Sequence, residues 1–463
     1  MTNTKDYFFC GIGGSGMLPL AMIVKARGAH VEGSDRALDQ GRTGAKFDYL
    51  RSLGIALHAQ DGSGVARPSQ ILVASAAVED TVPDVVAAKA AGADRLSRAD
   101  LLAQLFNESE RPVGVAGTSG KSTTTGMIGW ILHHAAKSPT VMNGAVMKNF
   151  VKPDALFASA LVGEGEAFVS EVDESDGSIA MFSPKVAVLN NISLDHKSMD
   201  ELRALFGGFI DRADIAVLNL DNEETARLAA ARMQGKITYS LVDPRAELFA
   251  ENIEPQPFGV SFDVARSDGA RASVALKMPG RHNVSNALAA IAAAGACGVS
   301  LPDAAAALGE FAGVKRRLEY VGETGGVSVI DDFGHNPDKI TASLKTLHEF
   351  PGRLLVMFQP HGFGPLRLMR REFIETFASL LAPDDVLLMP EPVYFGGTVD
   401  RSVSSKDIAA GVVAAGRKAE ALATRDDCGV RLLKLAEPGD RIVIMGARDD
   451  TLSIFAADLL KQF

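Results

Sequence analysis

The feature that most constrains the fold is a glycine-rich turn, GVAGTSGKSTTTGM, at residues 114–127. An apolar, strand-like run precedes it and a helical pattern follows it, so the turn leads from a strand into a helix. Backbone amides at such a turn bind phosphate groups. A strict phosphate loop, G-x-x-x-x-G-K-[ST], needs a first glycine at position 115, whereas the glycines here are Gly114, Gly117 and Gly120. The sequence therefore predicts a shortened phosphate loop.

The whole chain alternates strand-like and helical runs, which is typical of α/β proteins with parallel sheets. Its 463 residues divide into three such segments, for which we predict domains at 1–108, 109–318 and 319–463. A net charge of −10 disfavours nucleic-acid binding through a basic surface. Three scattered cysteines indicate neither a disulfide framework nor a metal knuckle, and we find no signal peptide or membrane span. We expect a cytoplasmic protein.

A second glycine turn, GIGGSG at residues 11–16, also follows a strand and opens a helix, and Asp35 ends the next strand-like run. Such a turn lets the backbone approach a diphosphate. A dinucleotide with Asp35 on its ribose is the obvious ligand, so an oxidoreductase is a competing interpretation. The phosphate loop at residues 114–127 weakens the oxidoreductase interpretation, because a dehydrogenase does not need a second phosphate site. ATP at one glycine turn and a different nucleotide at the other would explain both turns.

Acidic residues follow the next strand-like run, in EVDESD, and an Asp-His pair ends LNNISLDH. Carboxylates that face a triphosphate repel it unless a cation lies between them, so we predict Mg²⁺ here. His196 is a candidate ligand because it shares a domain with the carboxylates and the phosphate loop. Further along, Asn283 and Asn286 lie three apart at the start of a helix and should face the same way, towards a base or ribose.

Taken in order, these phrases resemble the motifs of the Mur ligases, ATP-dependent amide-forming enzymes that build the peptide of peptidoglycan. GTSGKST is similar to the family's phosphate loop GTxGKT, which accounts for the glycine spacing; EVDESD, GRHNVSNALAA, FAGVKRRLE and DDFGHNP also match in order. The resemblance covers nearly the whole chain. GIGGSGM, GSD and SAAV are most similar to the subgroup that adds L-alanine to UDP-N-acetylmuramate, and the subgroup that recycles a free tripeptide is close behind.

The resemblance implies a Rossmann-like N-terminal domain, a central P-loop ATPase-like parallel-sheet domain and a Rossmann-like C-terminal domain. It implies that ATP, with Mg²⁺, phosphorylates a carboxylate of UDP-N-acetylmuramate or a related UDP-sugar, and that an amino acid or peptide amine attacks the acyl phosphate. The alternatives are a recycling ligase for muropeptides and the same chemistry on another UDP-sugar acid or acceptor. We expect the protein to be a monomer or a homodimer. Its role would be in cell wall biogenesis, cell shape and cell division, and we expect no nucleic-acid or membrane partners.

The resemblance also assigns roles to individual residues. The catalytic residues are Lys121, Glu171, His196 and Arg317. The magnesium ligands are Ser122, Glu171 and His196. The ATP-binding residues are Gly117, Thr118, Ser119, Gly120, Lys121, Ser122, Thr123, Asn283, Asn286, Arg317 and Asp332. The UDP-sugar residues are Gly11, Gly13, Gly14, Ser15, Gly16, Met17, Ser34, Asp35, Ser75 and Ala76. The acceptor residues are His335, His361 and Arg367.

The acceptor region departs from the family pattern. Alanine-adding members typically read PHRYTRT where this chain reads PHGFGPL, so Gly362 and Pro365 stand in place of two arginines that contact the incoming amino acid. A buried carboxylate favours a guanidinium partner. The neighbouring Arg367, Arg370 or Arg371 could substitute for the missing pair, or the acceptor could be larger than alanine.

Overall fold

The computed structural model describes residues 5–76, 78–194, 197–392, 400–447, 449 and 451–463. It is an α/β structure built on three sheets, as the sequence predicts. The chain folds into two compact units, with residues 1–253, 261–277 and 283–314 in the first, and residues 254–260, 278–282 and 315–463 in the second. The predicted three-domain boundaries stay predictions.

The first sheet is parallel, with strand order β3-β2-β1-β4-β5. Its strands are β1 (Asp6–Cys10), β2 (His30–Ser34), β3 (Ala56–His58), β4 (Gln70–Ala74) and β5 (Asp94–Ser97). The helices of this region are α1 (Met17–Ala26), α2 (Arg36–Asp39), α3 (Gly44–Ser52), α4 (Pro83–Ala91) and α5 (Arg98–Asn107). The strand order reverses beside β1, and ligands bind parallel sheets at such a point.

The central sheet has ten strands in the order β15-β14-β13-β12-β11-β10-β6-β9-β7-β8. They are β6 (Arg111–Ala116), β7 (Thr140–Met142), β8 (Ala160–Leu161), β9 (Ala167–Glu171), β10 (Val186–Leu189), β11 (Ile215–Asn219), β12 (Lys236–Ser240), β13 (Leu248–Gln256), β14 (Gly259–Arg266) and β15 (Arg271–Leu276). The helices are α6 (Lys121–His134), α7 (Met199–Asp211), α8 (Glu223–Ala231), α9 (Arg281–Ala296) and α10 (Leu301–Gly309). The sheet is mixed, because β8 pairs antiparallel with β7, whereas β6 and its neighbours are parallel.

The third sheet has the order β16-β17-β21-β18-β19-β20, and only its edge strand β16 is antiparallel to its neighbour. Its strands are β16 (Glu319–Thr324), β17 (Val327–Asp332), β18 (Leu354–Gln359), β19 (Val386–Pro390), β20 (Lys418–Leu422) and β21 (Arg441–Gly446). The helices are α11 (Pro337–Leu347), α12 (Phe363–Leu368), α13 (Arg370–Leu380), α14 (Ser405–Ala414), α15 (Arg425–Leu435) and α16 (Thr451–Leu460).

The cores follow the sheets only in part. One apolar cluster is continuous from the first sheet into the central sheet, and there Phe106 of α5 contacts Phe168 of β9 and Phe182 edge to face. The third sheet has separate clusters on its two faces. Within the described ranges, no helix is both long and apolar enough to cross a membrane.

Candidate active site

The phosphate loop has the predicted strand–turn–helix form. The buried strand β6 ends at Ala116, and α6 begins at Lys121. Gly120 has a φ of 83°, in the left-handed region that favours glycine. A Cβ on Gly120 would lie 2.5 Å from Oδ1 of Asn286 and 2.8 Å from Nδ2 of Asn190, so no larger residue fits. The glycine is therefore required by both backbone and packing.

Asn191, which follows β10, holds the loop in place. Its backbone carbonyl accepts the amide of Thr118 at 3.2 Å, and its side-chain Oδ1 accepts the amide of Ser119 at 2.9 Å. The Thr118 hydroxyl donates to the carbonyl of Ser193 and accepts its amide, at 3.1 and 3.0 Å. These contacts fix the loop to the edge of the sheet where β6 and β10 end. In this structure the amides of Thr118 and Ser119 are engaged by protein groups.

Lys121 lies among carboxylates. Its Nζ donates to Oε2 of Glu174 at 2.9 Å and to the carbonyl of Gly117 at 2.9 Å, and lies 3.8 Å from Oδ1 of Asp173. Burial alone would lower the pKa of Lys121, but the charges of Glu174 and Asp173 outweigh it, and the pKa is raised. Lys121 therefore stays protonated at neutral pH, and it neutralises a glutamate that is itself 3% exposed.

Ser122 and Glu171 form the oxygen-rich corner of the site. The Ser122 hydroxyl donates to Oε2 of Glu171 at 3.2 Å, and Oε1 of Glu171 accepts the Gly144 amide at 2.5 Å. Hydroxyl and carboxylate oxygens are ligands that suit Mg²⁺, so these two residues fit that ion. The third predicted ligand, His196, lies outside the described residues. Thr123, in the first turn of α6, is buried.

The side chains of Asn283 and Asn286 lie together on one side of α9, in keeping with their spacing of three residues. Nδ2 of Asn286 donates to Oδ1 of Asn283 at 3.2 Å, and both side chains are buried. Oδ1 of Asn286 in turn accepts the hydroxyl of Thr124 on α6 at 3.3 Å, and Asn190 donates to the same hydroxyl at 3.0 Å. The asparagines of α9 therefore pack on the helix that carries Lys121. Their contact with adenine stays a prediction.

The glycine turn after β1 is tied to the end of β2. The amides of Gly11 and Ile12 both donate to the carbonyl of Ser34 at 2.9 Å, and the Gly13 amide donates to Oδ2 of Asp35 at 2.8 Å. The other oxygen of Asp35 accepts the amide of Ala37 and caps α2. The sequence predicted that Asp35 ends the second strand. This was wrong by one residue, because β2 stops at Ser34. The structural role of Asp35 is to fasten the turn.

The remaining predicted UDP-sugar residues surround this turn. Gly14 and Ser15 are exposed, Gly16 precedes α1, and Met17 begins it with a buried side chain. Ser75 and Ala76 follow β4, which pairs with β1 so that Ala74 lies opposite Cys10. These residues therefore meet at the carboxyl edge of the first sheet, although their ligand contacts stay predictions.

Two cations at this turn were missed by sequence reasoning. Nζ of Lys46 donates to the carbonyl of Gly13 at 3.1 Å. The Arg98 side chain lies so close to Gly16 that a Cβ there would be 3.0 Å from its Cδ, and Arg98 is 3.7 Å from Asp176 in the EVDESD phrase. Neither residue lies in a glycine motif, so no local signal pointed to them.

The second unit carries the other predicted residues. Both carboxylate oxygens of Asp332 accept hydrogen bonds from other segments of the second unit. Oδ1 accepts the Leu318 amide at 3.0 Å, and Oδ2 accepts the Ser343 hydroxyl at 2.7 Å. Arg317 stacks on Phe333, with Cζ 4.6 Å from the ring centroid. His335 and His361 come together edge to face after β17 and β18. The reach of Arg317 and Asp332 towards ATP stays a prediction.

The three arginines that could replace the two family arginines of the acceptor region each lie beside an acidic side chain. Arg367 on α12 forms an ion pair with Asp400, and its side chain is 49% exposed. Arg370 lies 3.7 Å from Asp407 and Arg371 lies 2.6 Å from Glu375. Each guanidinium is therefore already partly neutralised before an acceptor arrives.

Three family models match the chain, in the order of its segments. They are described as the Mur ligase family catalytic domain at residues 6–110, the Mur ligase middle domain at residues 115–294, and the Mur ligase glutamate ligase domain at residues 316–448. The chain belongs to the Mur ligase family. As a Mur ligase it is an ATP-dependent, ADP-forming enzyme that joins an acid to an amino acid.

Two relatives that match along nearly the whole chain are both named UDP-N-acetylmuramate–L-alanine ligase. The UDP-N-acetylmuramate–L-alanine ligase of Pelotomaculum thermopropionicum is 33% identical over 97% of this chain and 96% of its own length. That of Streptomyces coelicolor is 35% identical over 96% and 95%.

Two solved structures also match the Mur ligase along nearly all of its length. The UDP-N-acetylmuramate-alanine ligase of Thermotoga maritima superposes with a TM-score of 0.79 at 27% identity, covering 99% of this chain and 98% of that one. A murein peptide ligase of Psychrobacter arcticus gives a TM-score of 0.74 at 26% identity and the same coverage.

Proposed function

We propose that this Mur ligase joins the carboxylate of UDP-N-acetylmuramate to the amine of L-alanine or a related amino acid, in the cytoplasmic stage of peptidoglycan synthesis. The observation that carries the proposal is the partly buried cation of Lys121 at the N-terminus of α6, beside the oxygen pair of Ser122 and Glu171. The names of the full-length relatives support the choice of substrates.

The chemistry explains why such a site is needed. A carboxylate is a poor electrophile because its leaving group would be oxide, and phosphorylation replaces that group with phosphate. The carboxylate oxygen bonds to the γ-phosphorus of ATP and ADP leaves; the acceptor amine then bonds to the acyl carbon and phosphate leaves. Lys121 and the N-terminus of α6 would stabilise the negative charge of the transferred group.

Magnesium would be held by Ser122, Glu171 and His196. When bound, the ion supplies positive charge that neutralises the phosphates. Glu174 has a distinct role in this proposal. The Glu174 carboxylate is hydrogen-bonded to Lys121 in this structure. A phosphate that binds Lys121 must therefore replace Glu174, so that one ion pair is exchanged for another. Glu174 thus keeps the lysine charged and positioned before ATP binds.

A recycling ligase that adds a peptide to UDP-N-acetylmuramate is the second candidate. The observation that favours it is the acceptor region, where Gly362 and Pro365 occur and Arg367 is paired with Asp400. The fold agreement with the murein peptide ligase is consistent with it. The oligomeric state, monomer or homodimer, stays a prediction.

Phosphate release distinguishes the two candidates. Purified protein with ATP, Mg²⁺ and UDP-N-acetylmuramate is expected to release phosphate when L-alanine is added, and less with other single amino acids. Release only with L-Ala-γ-D-Glu-containing peptides would favour the recycling reaction. The absence of release with every amino acid and peptide tested would reject both.

The first sheet is expected to bind a UDP-sugar and not NAD. The glycine turn next to β1 is flanked by Lys46 and Arg98, which would neutralise a diphosphate, and a second phosphate loop lies elsewhere in the chain. Calorimetric titration should give binding of UDP-N-acetylmuramate that weakens in Arg98→Ala, with the exposed Arg51→Ala as control. Tight binding of NAD with no binding of the UDP-sugar would restore the oxidoreductase interpretation.

A further inference from the structure

The first unit contains a cavity that lies away from both glycine turns. Its volume is about 460 Å³, within the range of about 300–1,000 Å³ that is typical of small-molecule sites. It lies where α1 packs on β8, and the end of α6 also contributes to its wall. Most of the wall is apolar, with side chains such as Met22, Phe150 and Val162. The cavity therefore has the size and the lining of a site for a largely apolar ligand.

The cavity is remote from the predicted phosphate-binding positions. α1 begins at Met17 beside the glycine turn, whereas Lys25 and Ala26, which line the cavity, are the last two residues of this helix. α6 contributes His133, which a rise of about 1.5 Å per residue places about 18 Å along the helix from Lys121. A ligand in the cavity therefore leaves the N-termini of both helices open to the substrates.

Two lysines give the cavity a positive charge. Lys25 is half-buried and Lys152 is exposed, and both line the cavity. Among the residues that the structure describes, neither lysine forms an ion pair. Burial and the charge of Lys152 lower the pKa of His133, so this imidazole is uncharged at neutral pH. The cationic charge at the cavity therefore comes from the two lysines, and both are available to an anionic group.

Tyr49 of α3 adds a buried hydroxyl to the wall of the cavity. The residue is 8% exposed, and its ring packs against Phe157 with centroids 5.7 Å apart. No residue in the described part of the chain hydrogen-bonds this hydroxyl. Burial and the charge of Asp154 raise the pKa of Tyr49, so the hydroxyl keeps its proton and can donate. A buried donor is costly without an acceptor, and a carboxylate oxygen in the cavity would supply one.

We propose that the cavity binds an amphipathic carboxylate, with an acyl chain against the apolar wall and the carboxylate bound by Lys25, Lys152 and Tyr49. A singly charged head group suits the site better than a phosphate dianion, because the charge of Asp154 acts on Tyr49 and repels a dianion more strongly. This inference goes beyond the proposed function and does not depend on it, since binding is measured without turnover.

Calorimetric titration with decanoate tests the site, at concentrations below those that form micelles. The wild-type protein should bind one decanoate per chain. Decyltrimethylammonium, which has the same chain length and the opposite charge, should bind at least about tenfold more weakly. In the double variant Lys25→Gln/Lys152→Gln, decanoate should bind about tenfold more weakly or worse, and the preference for the carboxylate should disappear. Tyr49→Phe should weaken decanoate binding by about two- to tenfold, the value of one hydrogen bond.

Two further variants separate charge from space. Lys89→Gln is the matched control, because Lys89 is exposed on α4 and is not part of the cavity wall. It should bind decanoate as the wild type does. Ala26→Phe places a large side chain at an exposed position of the wall, so it should weaken both decanoate and decyltrimethylammonium. Thermal unfolding of each variant shows that it is folded before its affinity is compared.

Saturating ATP with Mg²⁺, or UDP-N-acetylmuramate, should leave the affinity for decanoate unchanged. Competition by either substrate would place decanoate at a substrate site and overturn the proposal. Absence of decanoate binding, equal affinity in the wild type and the double lysine variant, or tighter binding of decyl phosphate than of decanoate would also overturn it. Failure of the proposed function is recorded separately by phosphate release, because none of these titrations requires turnover.

Discussion

Lys121→Ala is expected to abolish amide synthesis, with phosphate release falling by about 10²- to 10³-fold or more, as when another charge-stabilising donor is removed from a transition state. The variant is also expected to be less stable, because Glu174 would remain as a buried carboxylate without its cation. Breaking a buried ion pair from one side costs about 3–5 kcal/mol. Activity and stability should therefore fall together in the single variant.

A second substitution separates the two effects. In Lys121→Ala/Glu174→Gln the buried charge is gone, so thermal unfolding should return towards the wild-type temperature while phosphate release stays abolished. Lys137→Ala, an exposed lysine beyond the end of α6, is the control. Recovery of turnover in the double variant would mean that Lys121 serves the fold alone, and normal turnover in Lys121→Ala would remove the ATP-site assignment.

Arg316→Ala is expected to destabilise the protein by about 3–5 kcal/mol, although the residue lies in the same phrase as the proposed catalytic Arg317. The Arg316 side chain is buried, and its guanidinium contacts Asp331 at 3.3 Å, the carbonyl of Asp449 at 3.1 Å and the carbonyl of Gly446 at 2.6 Å. Removing it leaves Asp331, which is 1% exposed, without its cation. Denaturant-induced unfolding at neutral pH measures the loss.

The neighbouring residue supplies the comparison. Arg317 stacks on Phe333 and is the proposed catalytic residue, so Arg317→Ala should act first on the rate of phosphate release, whereas Arg316→Ala should act first on stability. Opposite behaviour, with Arg317→Ala unfolding early and Arg316→Ala stable, would contradict the division of roles between the two arginines.

Local motifs were predictable from the sequence. The phosphate loop, the glycine turn after β1 and the facing pair Asn283 and Asn286 each depend on spacing within one strand–turn–helix or one helical turn. The three-sheet α/β architecture followed from the alternation of strand and helix patterns. The Mur ligase resemblance then ordered these parts, and the family models confirm it.

Contacts between distant segments were not predictable. The pairs Lys121–Glu174 and Ser119–Asn191 join residues 53 and 72 positions apart, and no periodicity links them. The antiparallel pairing of β8 was hidden because Ala160–Leu161 is too short to show alternation.

The hydrophobic core of the first unit is continuous across the boundary between two family domains. Family models place a boundary at residues 110–115, between the first and central segments. Phe106 on one side of that boundary packs on Phe168 and Phe182 on the other. A gene cut there would release two fragments that each expose aromatic surface which the intact chain buries. The inherited module and the unit of folding are thus different lengths of this chain.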